Sequence, residues 1–252
     1  MDIFTFPPIA ATLDAAYGAL MALAGLLEPV AGATAAATAI ILVTLIVRAA
    51  LIPTGVSQAK AEQVRARLAP KLRALQDRHR RDPERLQRET MKLYADENTS
   101  PFAGCLPVLI QAPVVGIIYA LFLHTAIAGH ANSLLTEELF GVPLGTSFVG
   151  AVAQGGLDAA TTAVIGVVVL LIAAVAEITR RVLRPAGSRS PGTDASPLAS
   201  GTALRAVGFL QFMTAAVALF VPLAAGLYLL VTVAWTLVQR LLLRRRYPLP
   251  MT

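Results

Sequence analysis

The sequence is poor in charge and nearly free of cysteine. Of its 252 residues 14% are charged, whereas a soluble domain carries roughly 25%. The single cysteine, Cys105, excludes an internal disulfide framework, and the three histidines form no metal-binding spacing with it. The chain also lacks G-x-S-x-G, H-E-x-x-H and a glycine-rich phosphate loop. These absences argue against a soluble fold, against a metal or other cofactor, and against an enzyme.

Hydrophobic sequence takes the place of charge, at 56% of the residues. A membrane span needs about 20 mainly apolar residues. Pro222 divides the longest apolar run, because proline removes a backbone donor and disfavours helix just before it. The pattern predicts an all-α integral membrane protein, a five-transmembrane-helix bundle, with spans at 33–56, 102–127, 159–179, 206–222 and 223–243.

The lysines and arginines are confined to three clusters and one isolated position. Eleven lie between Lys60 and Lys92, five between Arg180 and Arg205, and four between Arg240 and Arg246, which leaves Arg48 alone. Cytoplasmic loops accumulate Lys and Arg. We therefore expect the N-terminus and loop 128–158 outside, with segment 57–98, the flexible loop 180–205 and the short tail 244–252 in the cytoplasm. This distribution favours a membrane topology over a DNA-binding surface.

Two polar or amphipathic segments flank the first span. Residues 1–30 carry an apolar stripe at spacings of three and four, which predicts an extracytoplasmic amphipathic helix at the interface; a sixth span is the alternative. Segment 57–98 is polar but helical in pattern, and Asp82-Pro83 has the form of an N-cap followed by the first turn of a new helix. We predict a cytoplasmic helical hairpin there.

Arg48 stands inside the first predicted span. A charge at membrane depth costs a few kcal/mol and usually faces a bundle interior or a water-filled cavity. A bystander arginine that extends to the lipid headgroups is the alternative. Gln111, Gln211, Thr232 and Trp235 are further polar groups in the spans. They either line one groove with Arg48 or serve as interhelical hydrogen bonds and packing.

The order of these segments resembles the YidC/Oxa/Alb family of membrane protein insertases, in the bacterial type without a large extracytoplasmic domain. The most distinctive match is Gly104-Cys105-Leu106-Pro107 followed by Gln111 and Pro113. A second match runs from Pro222 to Tyr228 and on to Trp235 and Gln239. The family often has Trp after that tyrosine and a polar residue two before the tryptophan, whereas this chain has Leu229 and Val233.

The resemblance implies an insertase of the bacterial cell membrane that receives nascent membrane proteins in a hydrophilic intramembrane groove and releases their spans into lipid. It implies no cofactor, and it implies partners in the Sec translocon, membrane lipids and the ribosome, the last weakly because the basic tail is short. The implied groove residues are Arg48, Gln111, Gln211, Tyr228, Thr232 and Trp235, and the implied hairpin contact surface is Arg65, Arg73, Arg80, Arg81 and Arg85.

The alternative from another class is a small-solute transporter or channel, in which Arg48 binds an anionic substrate. Such a protein often carries inverted repeats. The two halves of this sequence differ in loop pattern, and only one has an intramembrane arginine. The sequence therefore favours the insertase.

Overall fold

Long α-helices account for most of the residues that the computed structural model describes, namely 6–97, 99–100, 106–127, 129–182 and 212–247, with backbone alone at 106–108, 110, 111 and 114. In chain order the helices are α1 (Pro7–Ala31), α2 (Ala35–Ala50), α3 (Ile52–Arg78), α4 (Pro83–Asp96), α5 (Leu106–Leu123), α6 (Phe148–Ala153), α7 (Ala159–Val182), α8 (Met213–Val217) and α9 (Leu223–Arg246).

Three helical stretches among these residues are long and apolar enough to cross a membrane. They are Pro7–Ala50, in which a short 3-10 turn at Gly32–Thr34 joins α1 to α2, then α7 and α9. Gly32 has a φ of +53°, a conformation that glycine adopts without the steric cost of a side chain. The chain therefore has the helices of a multi-span membrane protein.

Helix α2 ends earlier than the predicted first span. The helical pattern breaks at Leu51, and α3 starts at Ile52 with Pro53 in its first turn. A proline there fits a new helix, because its missing N–H would have no partner in the first turn anyway, and its ring opposes continuation of the preceding one. As a result Arg48 lies only two residues from a helix end, and α3 runs without interruption to Arg78.

The segment predicted as an extracytoplasmic loop, 128–158, contains regular structure, which begins two residues before it. Strands β1 (Ala126–Ile127) and β2 (His130–Ala131) pair antiparallel, as do β3 (Glu138–Leu139) and β4 (Val142–Pro143). A 3-10 turn at Ser133–Thr136 lies between the two hairpins, and α6 follows them. Leu134, Val142 and Leu144 are completely buried, so this segment, which we call the outer loop after its predicted position, has a packed interior.

The chain forms two compact units. The first comprises Met1–Ala49 and Val115–Leu237, and its most buried side chains include Leu20, Ile40, Phe122 and Ile172. Helix α9 packs closely on α7 in this unit, since a Cβ placed on Gly226 would lie 3.6 Å from Val168 Cγ1. The second unit comprises Ala50–Val114 and Val238–Thr252, and Leu68 is its fully buried side chain among the described residues.

Candidate functional site

Arg48 projects from the buried face of α2. Residues four apart share a helix face, and Ile40 and Thr44, eight and four positions earlier, are 0% and 1% exposed. Ile46 is 63% exposed, and at about 100° per residue it points about 160° away from Arg48. The Arg48 side chain is itself half-buried. The arginine therefore starts from the interior face of its helix.

No acidic side chain pairs with Arg48 in the part of the chain that the structure describes. The ion pairs there join Glu97 to Arg67 and Lys71, Asp14 to His130, Glu177 to Arg180 and Arg181, and Glu62 to Arg244. A half-buried cation attracts an opposite charge more strongly than a fully hydrated one, because the surrounding dielectric is lower. Arg48 is thus a fixed positive charge available to an acidic group from outside the described chain.

Three of the predicted groove residues lie along one face of α9, at spacings of four and three. Tyr228 is 3% exposed, and its ring centroid lies 6.0 Å from that of Phe122 on α5, with the planes at 48°. Thr232 follows one turn later, and its Oγ1 is shielded from solvent without a hydrogen-bond partner among the described residues. Trp235 is half-buried. The face changes along the helix, from an aromatic contact in the core to an unsatisfied hydroxyl.

The Thr232 hydroxyl has no hydrogen-bond partner among the described protein atoms. Buried polar groups nearly always have a partner, and an exception points to a water, an ion or a ligand.

The structure describes little of the two glutamines predicted to line the groove. Gln111 belongs to α5, but its side chain lies outside the described part of the structure, and Gln211 lies outside the described residues altogether. The structure therefore brings Tyr228, Thr232 and Trp235 onto one helix face and puts Arg48 on a buried face of another helix in the same unit.

The outer loop closes the N-terminal end of α9. The first N–H groups of a helix have no partner within it. Here the N–H of Leu223 donates to the carbonyl of Thr146 at 2.9 Å, and that of Ala224 donates to the carbonyl of Leu144 at 2.9 Å. In addition, Val149 N–H donates to the Leu219 carbonyl at 3.1 Å, just before Pro222. These bonds satisfy backbone groups that would be costly to leave open in a bilayer.

A polar contact joins α1 to the outer loop. His130 Nε2 lies 2.8 Å from Asp14 Oδ1, and the imidazole ring lies 5.2 Å from the Tyr17 ring. The Tyr17 hydroxyl is 2.6 Å from Ser133 Oγ and accepts from the Ser133 N–H at 3.2 Å. The hydrogen bond to Asp14 raises the pKa of His130 above its usual 6.5. Sequence reasoning missed this cluster, because its members lie 116 residues apart.

Helices α3 and α4 form a hairpin in the second unit. Asp82 is the N-cap of α4, as the sequence predicts: its Oδ1 accepts from the Arg85 N–H at 2.9 Å. At the other end Glu97 bonds to Arg67 at 3.0 Å and to Lys71. The hydrogen bond from Lys71 lowers the pKa of the Glu97 carboxyl below its usual 4.5, and the charges of Lys71 and Arg67 act in the same direction. These bonds tie the chain after α4 back to α3.

The five arginines predicted as the hairpin contact surface are all exposed. Arg65 and Arg73 are on α3, Arg80 and Arg81 are in the turn, and Arg85 is in the first part of α4. A cleft of about 430 Å³ also opens between the two helices, and its lining residues are Lys71, Ala74, Leu75, Arg78, Glu89, Lys92, Leu93 and Asp96. The hairpin thus presents hydrated, mainly positive charge.

Close contacts join the start of α3 to the C-terminal part of α9. A Cβ on Gly55 would lie 1.8 Å from Gln239 Nε2, so only glycine leaves room for that side chain in its present position. Glu62 and Arg244 are 3.8 Å apart, and Lys60 Nζ lies 5.9 Å from the centre of the Tyr247 ring. The second unit is therefore held by contacts at two separate places, here and at Glu97.

Known proteins that are similar to this chain identify its family. The family model described as "60Kd inner membrane protein" matches residues 27–249. ALBINO3, a chloroplastic inner membrane protein of Arabidopsis thaliana, is 33% identical over 226 residues, which is 82% of this chain and 46% of the relative. The membrane protein insertase YidC of Streptomyces avermitilis is 27% identical over 224 residues, which is 84% of this chain and 51% of the relative.

The YidC of Clostridium perfringens is 40% identical over 83 residues, which is 33% of this chain and 35% of the relative. The chain thus spans about half or less of the length of these curated relatives. The family match, in contrast, covers nearly all of the chain, including α2 with Arg48 and the whole of α9. This membrane protein therefore belongs to the 60Kd inner membrane protein family, the YidC/Oxa/Alb family that its sequence resembles.

Proposed function

We propose that this chain is a membrane protein insertase, which receives nascent membrane proteins in a hydrophilic groove and releases their spans into the bilayer. The observation that carries the proposal is Arg48, which projects from the buried face of α2 and has no ion-pair partner in the described chain. The names of the relatives, several of them membrane protein insertases, support the same function.

The groove acts as a polar stop partway across the membrane. Arg48 attracts acidic residues in the outer tail of a substrate, while Thr232 and Trp235 add polar edges and Gln111 and Gln211 complete the proposed lining. Transfer of the substrate's apolar span from water into lipid then drives the tail outward, because burial of apolar surface is favourable. On this mechanism insertion needs no nucleotide hydrolysis.

The proposed topology has five spans in the bacterial cell membrane, with the N-terminus outside and the C-terminus in the cytoplasm. It keeps the five spans at their predicted places, with a helix break at Leu51 inside the first one, and it keeps the predicted interfacial position of the N-terminal helix. The outer loop lies on the extracytoplasmic side, and its bonds to Leu223 and Ala224 support a groove closed on that side. The exposed arginines of the α3–α4 hairpin face the cytoplasm and meet the Sec translocon, anionic lipid or, weakly, the ribosome.

Complementation tests the function. Cells depleted of their own insertase receive the wild-type chain, Arg48→Ala, Arg48→Lys or the control Ile46→Ala, which alters the exposed face of the same helix. We expect the wild type and Ile46→Ala to restore insertion of a small two-span substrate with an acidic outer tail, and Arg48→Ala to fail. Arg48→Lys restores insertion if charge alone matters, and fails if the planar guanidinium is required.

Two results would contradict the proposal. The first is a wild-type chain that is expressed stably in the membrane but restores no insertion. The second is Arg48→Ala inserting an acidic-tailed substrate as fast as the wild type does, which would remove Arg48 from the mechanism. A substrate whose tail lacks acidic residues serves as a reference, because its insertion should depend less on Arg48.

A further inference from the structure

The tip of the β3–β4 hairpin holds an aromatic residue in a strained backbone conformation. Leu139 pairs with Val142, which leaves Phe140 and Gly141 as a two-residue turn. Both have positive φ, +54° and +80°. Turns of this kind favour Asn-Gly or Asp-Gly, because a bulky side chain fits poorly at a positive φ. Phe140 is the one non-glycine residue with positive φ in the described chain.

The support beneath this tip is well packed. Val142 and Leu144 are completely buried, and the Leu144 N–H donates to the Glu137 carbonyl at 2.7 Å. Gly145 N–H donates to the Leu135 carbonyl at 2.8 Å, and a Cβ on Gly145 would come within 2.9 Å of that oxygen. The conformation at Phe140 is therefore set by a rigid scaffold.

Packing on the Phe140 ring within the described chain compensates little of this strain. The side chain is 73% exposed. Strained residues persist where the surroundings hold them, and they cluster at functional positions. A large apolar side chain held outward at a strained position points to a contact with something outside this chain.

The surrounding sequence indicates what that contact is. No charged residue occurs between Glu138 and Asp158, a stretch that also exposes Val149, Val152 and Leu157. The stretch bonds through its backbone to residues 219–224, where the membrane-crossing helix α9 starts, and it ends at the start of α7. An uncharged, partly apolar segment that joins two helices long and apolar enough to cross a membrane is suited to a position beside lipid. Trp and Tyr are enriched at the membrane interface, and Phe and Leu occur on the lipid-facing side of interfacial segments.

We propose that Phe140 is a lipid anchor, which seats the tip of the β3–β4 hairpin in the interfacial layer of the bilayer. Glu137 and Glu138 at the base of the hairpin mark the side that stays in water, since carboxylates are strongly hydrated. The anchor fixes the height of the outer loop, and through the bonds at Leu144 and Thr146 it fixes the start of α9 as well. On the proposed topology the lipid belongs to the outer leaflet.

Depth-dependent fluorescence quenching tests the anchor. Phe140→Trp is made in the full-length Trp235→Phe chain, and the matched control is Glu137→Trp in the same background. Both are reconstituted into phosphatidylcholine and phosphatidylglycerol vesicles whose phosphatidylcholine carries bromine on its acyl chains near the headgroup. We expect bromolipid to quench the tryptophan at 140 about twofold or more relative to the one at 137, as an interfacial depth requires. Acrylamide in the water should show the opposite order.

Two other outcomes overturn the proposal. If acrylamide quenches both positions equally and bromolipid quenches neither, the tip is in water. If the tryptophan at 140 is shielded from both quenchers, and the shielding falls as the protein is diluted in lipid, a second copy of the chain covers the tip. Should the tryptophan variants fail to fold, a nitroxide on Phe140→Cys in the Cys105→Ser chain gives the same depth from collisions with oxygen and with a water-soluble nickel complex.

Discussion

Arg48 and the arginines of the α3–α4 hairpin carry the same charge in opposite surroundings. Arg48 is half-buried, shares its helix face with the buried Ile40 and Thr44, and has no acidic partner among the described residues. The hairpin arginines are numerous and exposed. A buried charge interacts strongly and is expensive to place, whereas an exposed one is screened by water and salt. Position, more than charge, should therefore decide which arginine the function depends on.

The largest effect is expected from moving the Arg48 charge across its helix. The double variant Arg48→Ile with Ile46→Arg keeps the composition and the depth nearly unchanged, but it turns the cation toward the exposed face. We expect insertion of an acidic-tailed substrate to fall at least about tenfold, as the loss of roughly 1.4 kcal/mol of attraction implies. Insertion near the wild-type rate in the complementation assay would show that insertion does not depend on which face of α2 carries the charge.

The second largest effect is expected at Tyr228. Substitutions there distinguish a loss of function that follows from lower stability from one that follows from loss of the hydroxyl. Because the ring is 3% exposed and packs on Phe122, Tyr228→Ala should lower the free energy of unfolding by about 3 kcal/mol. Tyr228→Phe keeps the ring and should cost little. Thermal unfolding of the purified protein in detergent measures both. Loss of insertion in Tyr228→Phe with an unchanged melting temperature would instead assign the hydroxyl a direct role in the groove.

The hairpin arginines should show a smaller and collective effect. A single change such as Arg65→Gln or Arg81→Gln should alter insertion by less than about twofold, since exposed substitutions usually cost within 0.5 kcal/mol. Replacement of all five by glutamine should weaken binding to vesicles with anionic lipid by about 1 kcal/mol for each arginine near the surface. Raised salt should also weaken the binding of the wild-type chain to these vesicles. A single arginine substitution that weakens vesicle binding as much as replacement of all five would contradict this view.

The smallest expected effect is the pH dependence of the Glu97 contacts. The folded pKa of Glu97 lies below its unfolded value of 4.5, so the carboxylate contributes stability above pH 4.5 and loses it as the pH falls through the folded pKa. Glu97→Gln should therefore loosen the hairpin at neutral pH and match the wild type in acid. Hydrogen exchange of the α4 amides measures this, with Asp77→Asn as a control of equal charge change. A difference that persists below the folded pKa would rule out the ion pairs as its cause.

The features that depend on local chemistry could be predicted from the amino-acid sequence alone. Long uncharged runs must be helical in lipid, a lone arginine within such a run is energetically conspicuous, and Asp82-Pro83 starts a helix wherever it stands. Family membership followed from motifs that occupy short segments. Pro53 also indicates the helix break at Leu51, inside the predicted span 33–56.

The tertiary structure shows which face of α2 is buried, and the sequence does not, because the residues around Arg48 are apolar on every side and form no amphipathic stripe. It also decided that Tyr228 contacts Phe122, that Tyr17 and Asp14 meet Ser133 and His130, and that carbonyls of the outer loop receive the N–H groups of Leu223 and Ala224. These contacts join residues distant in sequence. Packing and the need to satisfy buried polar groups select these partners, and a short stretch of sequence does not show which distant residue a side chain will contact.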